Sequence, residues 1–284
     1  MARRAGSSRS RDMAQKGVPP SPYICRTIPH FDILDEGQIL RLEGQVDWIL
    51  QDVGIAFRDD STALELWRRE GATIEDDIVR APADWIRALC AKAPSEFIQL
   101  ARNRERSVVI GGNNQVFAPI YGAPFVRDLE GGRRYGDMKA FQDLVRLSYL
   151  HPNLHHGGFV TCEPCDVPVS KRHLDMLFAH MTLSDKPHLG AITEMSRAQD
   201  SVDMAEIVFG ADVMEDNCVI MGNVNTNSPL LVDKVVTESA RVYSSRGQGL
   251  IVVPFILSGA MGPVSTAASV AQLSLIHISE PTRR

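Results

Sequence analysis

From about Val116 onward, short apolar, β-branched runs alternate with longer helix-like stretches, and the spacing of that alternation limits the folds open to the chain. The runs are "QVFAPI", "GGFVTC", "HLGAIT", "CVIMGN" and "LIVVPFI". Between them lie "DMKAFQDLVRLSYLH", "SKRHLDMLFAHMTL", "SVDMAEIVFGADVM" and "DKVVTESARVYSSRG", with Ser170, Ser201 and Asp233 standing where helix N-caps are wanted. Strand starts recur every ~30 to 40 residues, the size of one βα unit. Runs that are apolar on both faces suit strands covered on both sides, so the sheet is expected to be parallel.

Two architectures fit this rhythm, an open doubly wound sheet and a closed eight-unit barrel. A nucleotide-binding open sheet favours a G-x-G-x-x-G turn after its first strand, and the sequence has none. Polar and Gly-rich clusters follow each run instead ("YGAPFVRD", "EPCDVP", "EMSRAQ", "NVNTNS", "SGAMGPVS"), and a barrel assembles its site from such loops at one face. The expected fold class is therefore α/β, an incomplete (β/α)8 TIM-type barrel holding about the first five strands.

Ahead of it, residues 31–105 read as a small helical subdomain. "ILDEGQILRLEGQVDWILQDVG" places Ile39, Leu42, Val46, Ile49 and Leu50 on one helix face, with Gly54 as a stop. "STALELWRREG" follows with Ser61 as N-cap and Gly71 closing, and "PADWIRALCAKAP" is a third helix between prolines. Trp48, Trp67 and Trp85 are expected to be core anchors. Residues 1–30 are basic, Ser-rich and lack an apolar segment, which reads as a solvated tail and not a secretory signal.

A barrel needs about 250 residues, so residues 106–272 are expected to hold only its first part. In "LSLIHISEPTRR", residues 273–284, two isoleucines alternate before Pro281, and the segment is expected to break the preceding helix. It looks like the translation of a sequencing-library adaptor and is read as non-native. A chain so cut would expose sheet edges and an uncovered interior, and would aggregate or stay partly unfolded.

With 284 residues, 44% of them apolar, a large core is available. The net charge of −5 gives no electrostatic reason for a nucleic-acid partner. "LIVVPFILSGAM", the longest apolar run, is shorter than the roughly 18 residues of a membrane span, so no membrane is expected. Cys25, Cys90, Cys162, Cys165 and Cys218 are irregularly spaced, like the reduced thiols of a cytoplasmic protein.

His155, His156, Cys162 and Cys165 are the loudest local signal, but no second ligand pair accompanies the C-x-x-C, and the histidines lie at the other end of the run. No metal site is expected there. Acidic residues near strand ends are Asp128, Glu163 and Glu194, joined by the amides Asn223, Asn225 and Asn227 and the aromatics Tyr121, Phe125 and Phe255. Such a set could hold a small cation by carboxylate pairing and cation–π contact. Gly259 and Gly262 in "SGAMGPVST" either cradle an anion with backbone amides or merely permit a tight turn. No Ser-His-Asp order, H-E-x-x-H or P-loop occurs, so nothing points to a hydrolase or nucleotide enzyme.

Taken in series, "ILDEGQILRLEGQVDWILQDVGIAF", "IYGAPFVRDLEGGRRYG", "DVP", "HLDML", "SDKP" and "GAMGPVS" resemble the trimethylamine methyltransferase family, the corrinoid-dependent amine methyltransferases. The resemblance runs from about Phe31 to Gln272. It implies a barrel enzyme that moves a methyl group from a methylated amine to cobalt(I) of a corrinoid on a separate carrier protein. The implied step is in-line displacement at carbon with a neutral amine leaving, so the protein orients and desolvates the cation. Trimethylamine or a quaternary amine such as glycine betaine is the implied substrate. One subgroup carries pyrrolysine on a strand beyond Gln272. No catalytic residue is carried over from the family, and a homo-oligomer is left open.

Two other readings stand beside this one. An unrelated barrel lyase or aldolase could use the Gly259–Gly262 loop for phosphate, although Lys139, Lys171 and Lys234 fall in helices, away from a Schiff-base position. The other is a non-catalytic binding protein on the same scaffold.

Overall fold

The computed structural model describes residues 24–29, 32, 34–226, 230–254, 258–260 and 262–277. Most of the expected N-terminal tail, the loop residues Asn227 and Phe255, and residues 278–284 lie outside them.

The chain is a mixed α/β fold. Its first helix, α1 (Glu36–Trp48), is fixed by a capping box in which Asp35 Oδ1 accepts from the Gln38 amide (2.7 Å) and Gln38 Oε1 from the Asp35 amide (2.9 Å). A π-helical turn at Ile49–Val53 continues it to Gly54, where φ is +79° and a Cβ would meet Ile78 Cγ2 at 2.6 Å. Val46 and Leu50 are buried as the apolar spacing predicts, whereas Trp48 is 52% exposed and no anchor. Trp67 and Trp85 do pack together, with ring centroids 5.7 Å apart.

The head is not purely helical. Besides α2 (Ser61–Arg69) and α3 (Trp85–Cys90) it carries β2 (Ile55–Arg58), β3 (Thr73–Glu75), β4 (Ile78–Arg80) and β5 (Glu96–Gln99), with β1 (Ile24–Cys25) before them. Strands of three or four residues are too short for alternation to show in sequence. The turn between β3 and β4 uses Asp76 at φ +54°, a conformation aspartate tolerates. The N-cap of α2 is Asp60, one residue before the expected Ser61.

Next come β6 (Val108–Gly111), which pairs with β5 as a hairpin, β7 (Asn114–Gln115), and the hairpin β8 (Phe125–Asp128) and β9 (Gly132–Tyr135). They are followed by α4 (Met138–Leu150), α5 (Arg172–Leu183), β10 (His188–Gly190), α6 (Met195–Phe209), α7 (Ala211–Asp216), β11 (Ile220–Thr226), β12 (Leu231–Asp233), α8 (Lys234–Ser245), β13 (Gly249–Pro254) and α9 (Thr266–His277). The N-cap positions also moved: Lys171, not Ser170, precedes α5, and Ser201 lies inside α6. Asp233 does precede α8, without a side-chain cap bond. Helix α9 runs through His277, so the expected break after Gln272 is absent; leucine, serine and isoleucine are all tolerated in a helix.

The parallel sheet has the order β10-β11-β13, in register from His188↔Ile220 to Thr226↔Pro254. The runs near Val116 and Phe159 are not regular strands, yet they extend the same pattern. The His155 amide donates to the Phe117 carbonyl (3.0 Å), Gly122 to Val160 (2.7 Å), Gly157 to Pro187 (2.8 Å) and Leu189 to Gly158 (3.0 Å). Residue numbers rise together along both partners, the signature of parallel pairing. Five extended segments thus lie side by side in chain order, and among the described residues they do not close into a ring.

The main core packs α4, α5, α6 and α8 against this layer through Phe141, Leu177, Val202, Ile220, Met221 and Tyr243. At the N-terminal ends of the segments, Gln99 of β5 plugs the layer. Its Nε2 donates to the His188 carbonyl (2.9 Å), and its Oε1 faces His156 Nε2 (3.1 Å). Lys186, also buried there, donates to the carbonyls of Ser148 (2.9 Å), His151 (3.3 Å) and Leu154 (2.6 Å), closing the C-terminus of α4.

At the opposite ends the head is fastened down. Strand β12 joins the head sheet in parallel with β2, pairing Asp233 with Arg58. Asp60, 2% exposed, caps α2 through the Ala63 amide (3.0 Å) and accepts from Arg241 of α8 (2.7 and 3.2 Å) and from Thr237.

Candidate active site

Tyr121 and Glu163 are carried by adjacent segments, tied by the Gly122–Val160 bond and by the Glu163 amide donating to the Ala123 carbonyl (2.9 Å). Asn223 lies on β11 with its side chain opposite to Gly222, which faces α8 through Tyr243. Asn223 therefore points toward the face the helices do not cover. There its side chain lies close to the Tyr121 hydroxyl, while its Oδ1 is buried with no partner among the described residues. An amide oxygen is thus left without a hydrogen-bond donor beside the phenol.

Over a third of the Tyr121 surface reaches solvent, but its hydroxyl is turned into the protein. Burial first, and the Glu163 charge second, push its pKa up to about 12 against the opposing Asn223 contact. The phenol is protonated at neutral pH. Glu163 pairs with Arg172 of α5 (3.2 Å), whose guanidinium also donates to the Val167 carbonyl (2.9 and 3.2 Å).

Of the residues singled out in the sequence, Tyr121, Glu163 and Asn223 are thus brought together. Asn225, two residues further along β11, lines a cleft of about 600 Å³ with Arg58, Asp59, Ile192, Thr193 and the start of α8. Asp128 is committed elsewhere: in the β8–β9 turn it accepts from the Gly131 amide and from Arg134, and these bonds hold its carboxyl below the usual range. Glu194 pairs with Arg197 (3.3 Å) on the exposed start of α6. Arg133 lies 3.8 Å over the Phe125 ring, so that aromatic face already holds a cation.

The Gly259 amide donates within its own turn to the carbonyls of Gly262 (3.1 Å) and Pro263 (3.3 Å), with φ at +79°. That geometry serves the turn. The Cys162 thiol is buried, and burial together with the charge of Asp137 pushes its pKa up to about 11. Cys165 is exposed. His155 and His156 sit at the N-terminal ends, away from both. Among the described residues no three His, Cys, Asp or Glu converge as a metal requires.

Sequence reasoning missed Arg172, Tyr243 and Arg58. Arg172 lies nine residues after Glu163 across a loop, and Arg58 ends a short head strand that comes near β11 only through β12. Neither proximity has a spacing that could have been read.

The arrangement offers a protonated phenol, an unpartnered amide oxygen and a carboxylate balanced by arginine. It suits holding a small polar cation and removing water from it.

Comparison with known proteins gives this arrangement a family. Residues 2–275 match the family model described as trimethylamine methyltransferase (MTTB). The chain is 36% identical over 245 residues to a glycine betaine methyltransferase of Desulfitobacterium hafniense (strain Y51), covering 86% of this chain and 51% of that protein. It is 23% identical over 237 residues to a proline betaine:corrinoid methyltransferase of Eubacterium limosum, covering 79% of this chain and 47% of that protein. The chain spans about half the length of the curated relatives it matches. With the family model matching nearly its whole length, the chain belongs to the trimethylamine methyltransferase (MTTB) family.

Proposed function

We propose that the full-length protein transfers a methyl group from a quaternary amine of the betaine type to the cobalt of a corrinoid carried by a separate protein. The observation that carries this reading is the 36% identity to a glycine betaine methyltransferase, over a region that includes Tyr121, Glu163 and Asn223. The corrinoid enters as the methyl acceptor, a co-substrate brought by its carrier, and its cobalt supplies the nucleophile.

A quaternary ammonium has no N–H to donate, so it is recognised by oxygen atoms and aromatic faces. Asn223 Oδ1 and the Tyr121 oxygen present such atoms, and Glu163 adds a charge that Arg172 moderates. The N–CH3 bond breaks with its electron pair staying on nitrogen, so the amine leaves neutral and needs no proton. Tyr121, protonated at neutral pH, is suited to orienting the cation. Excluding water raises the free energy of the cation relative to a transition state that spreads its charge.

The same reading takes the five parallel segments as the opening strands of a TIM-type barrel in residues 106–272, after a head spanning 31–105. The protein is placed in the cytoplasm, in methylated-amine metabolism. The test is methyl transfer to cob(I)alamin, free or on a carrier, by the full-length gene product, followed through the corrinoid's visible spectrum. Turnover with glycine betaine is expected. Absence of turnover with every methylated amine tried overturns the proposal.

A further inference from the structure

The cleft beside Asn225 joins two parts of the chain far apart in sequence. Its walls are Arg58 and Asp59 from the head, Ile192 and Thr193 after β10, Asn225 of β11, and Asp233 to Val236 at the start of α8. Charged lining is balanced, two cations (Arg58, Lys234) against two carboxylates (Asp59, Asp233), and Ile192, Val235 and Val236 add apolar surface. Such a lining matches a zwitterion better than a simple cation.

Three consecutive head residues have divided roles. Asp60 is locked to Arg241 and Thr237 of α8, which fixes the head over the strand ends. Asp59 is held at φ +56°, in the left-handed region that costs a non-glycine residue free energy. Arg58 takes no part in the clamp; it is exposed, and its backbone is held in register against Asp233. Asn225 lines the cleft and projects to the same face of β11 as Asn223, one pleat further along.

We propose that Arg58, delivered by the head, is a specificity-determining residue that binds the carboxylate of a zwitterionic quaternary amine, while the ammonium end lies toward Asn223. This rests on the methyltransfer reading above and assigns the head a part in substrate choice. A guanidinium fork matches a carboxylate with two parallel hydrogen bonds and leaves an uncharged analogue without that contact.

The test is calorimetric binding of glycine betaine and of choline, which keeps the trimethylammonium group and replaces the carboxylate with a hydroxymethyl group, to the full-length protein and its Arg58→Gln variant. The wild type is expected to prefer glycine betaine at least tenfold, and Arg58→Gln to erase that preference by weakening glycine betaine alone. Arg58→Lys should keep part of it, and a thermal melt of each variant checks folding; if Arg58→Gln does not fold, the smaller loss of preference in Arg58→Lys decides. A preference that survives the substitution, or equal weakening of both ligands, overturns the role of Arg58 and leaves methyl transfer standing. A wild type that binds neither ligand and transfers no methyl group overturns both.

Discussion

Gly190 and Gly222 face each other across the β10–β11 pair, and the Tyr243 side chain of α8 fills the space that a methyl group on either would need. A Cβ on Gly190 would come within 2.2 Å of the Tyr243 oxygen, and one on Gly222 within 2.8 Å of its ring. The hydroxyl in turn donates to the Ala191 carbonyl (2.8 Å), and the Ala191 amide donates to Ser201 Oγ (2.9 Å). The end of β10 is thus held by two helices at the point where the chain turns into the cleft wall.

Gly190→Ala and Gly222→Ala should each destabilise the protein by about 1 to 3 kcal/mol, because a fully buried tyrosine between a helix and a sheet has little room to shift. Tyr243→Phe should cost about 1 kcal/mol, for one hydrogen bond with the ring retained. Urea titrations compare the three. A Gly222→Ala variant as stable as the wild type contradicts the packing.

The Asp60–Arg241 clamp predicts a second outcome. Burial pushes the Asp60 carboxyl upward, but bonds from Arg241, Thr237 and the Ala63 amide outweigh it and hold the carboxyl below its usual value. A depressed carboxylate contributes stability above the unfolded-state value of roughly 3.9, and loses it as the pH falls through the folded value. Asp60→Ala removes the charge, the α2 cap and the tie to α8 together, and should cost about 2 to 4 kcal/mol at pH 7. Its deficit against the wild type should narrow below about pH 4. Stability measured across pH 3 to 7 checks this, and a deficit of the same size at every pH removes the electrostatic part of the account.

How much of this was legible beforehand differs from one part of the chain to the next. The strand–helix rhythm located the parallel layer because a run such as "CVIMGN", apolar on both faces, has few other uses. Helix α1 was readable down to Gly54 because five apolar positions share one face. The head sheet was not, since β2, β3 and β4 are too short to show a period and β12 joins β2 from far along the chain, pairing Leu231 with Ala56. In the candidate site, residue type at a strand end picked out Tyr121, Glu163 and Asn223, which the fold brings together, and also Asp128 and Glu194, which it leaves apart. Which of these carboxylates comes to lie beside Tyr121 depends on how the loops and turns fold, which spacing does not encode.

The buried histidines predict a pH response. His156 and His180 are pushed down to about 3 and His188 is also lowered, in each case first by burial. In the unfolded chain they titrate near ~6.5. Below that value the unfolded state binds more protons than the folded one, so stability is full above about pH 6.5 and falls as the pH drops toward the folded values. Each histidine contributes a slope of at most about 1.4 kcal/mol per pH unit. Urea midpoints at pH 7.5, 6.5 and 5.5 should decline, most steeply in the last interval. Midpoints that do not move between pH 7.5 and 5.5 refute the burial of these rings in neutral form.

The Tyr121–Asn223 pair yields the last prediction, and it concerns activity. If both side chains present oxygen atoms to the same cation, they act as a unit, because they lie side by side and would contact one substrate. In the full-length protein Tyr121→Phe and Asn223→Ala should each lower kcat/KM for glycine betaine by about tenfold, near 1.4 kcal/mol. The double substitution should fall short of their product, since each single change already disturbs the shared contact with the cation. Steady-state methyl transfer by all four proteins, with thermal melts to confirm folding, measures that coupling. Strict additivity with unchanged stability would mean that the two residues do not meet around one substrate, and the proposed cation site would lose its centre.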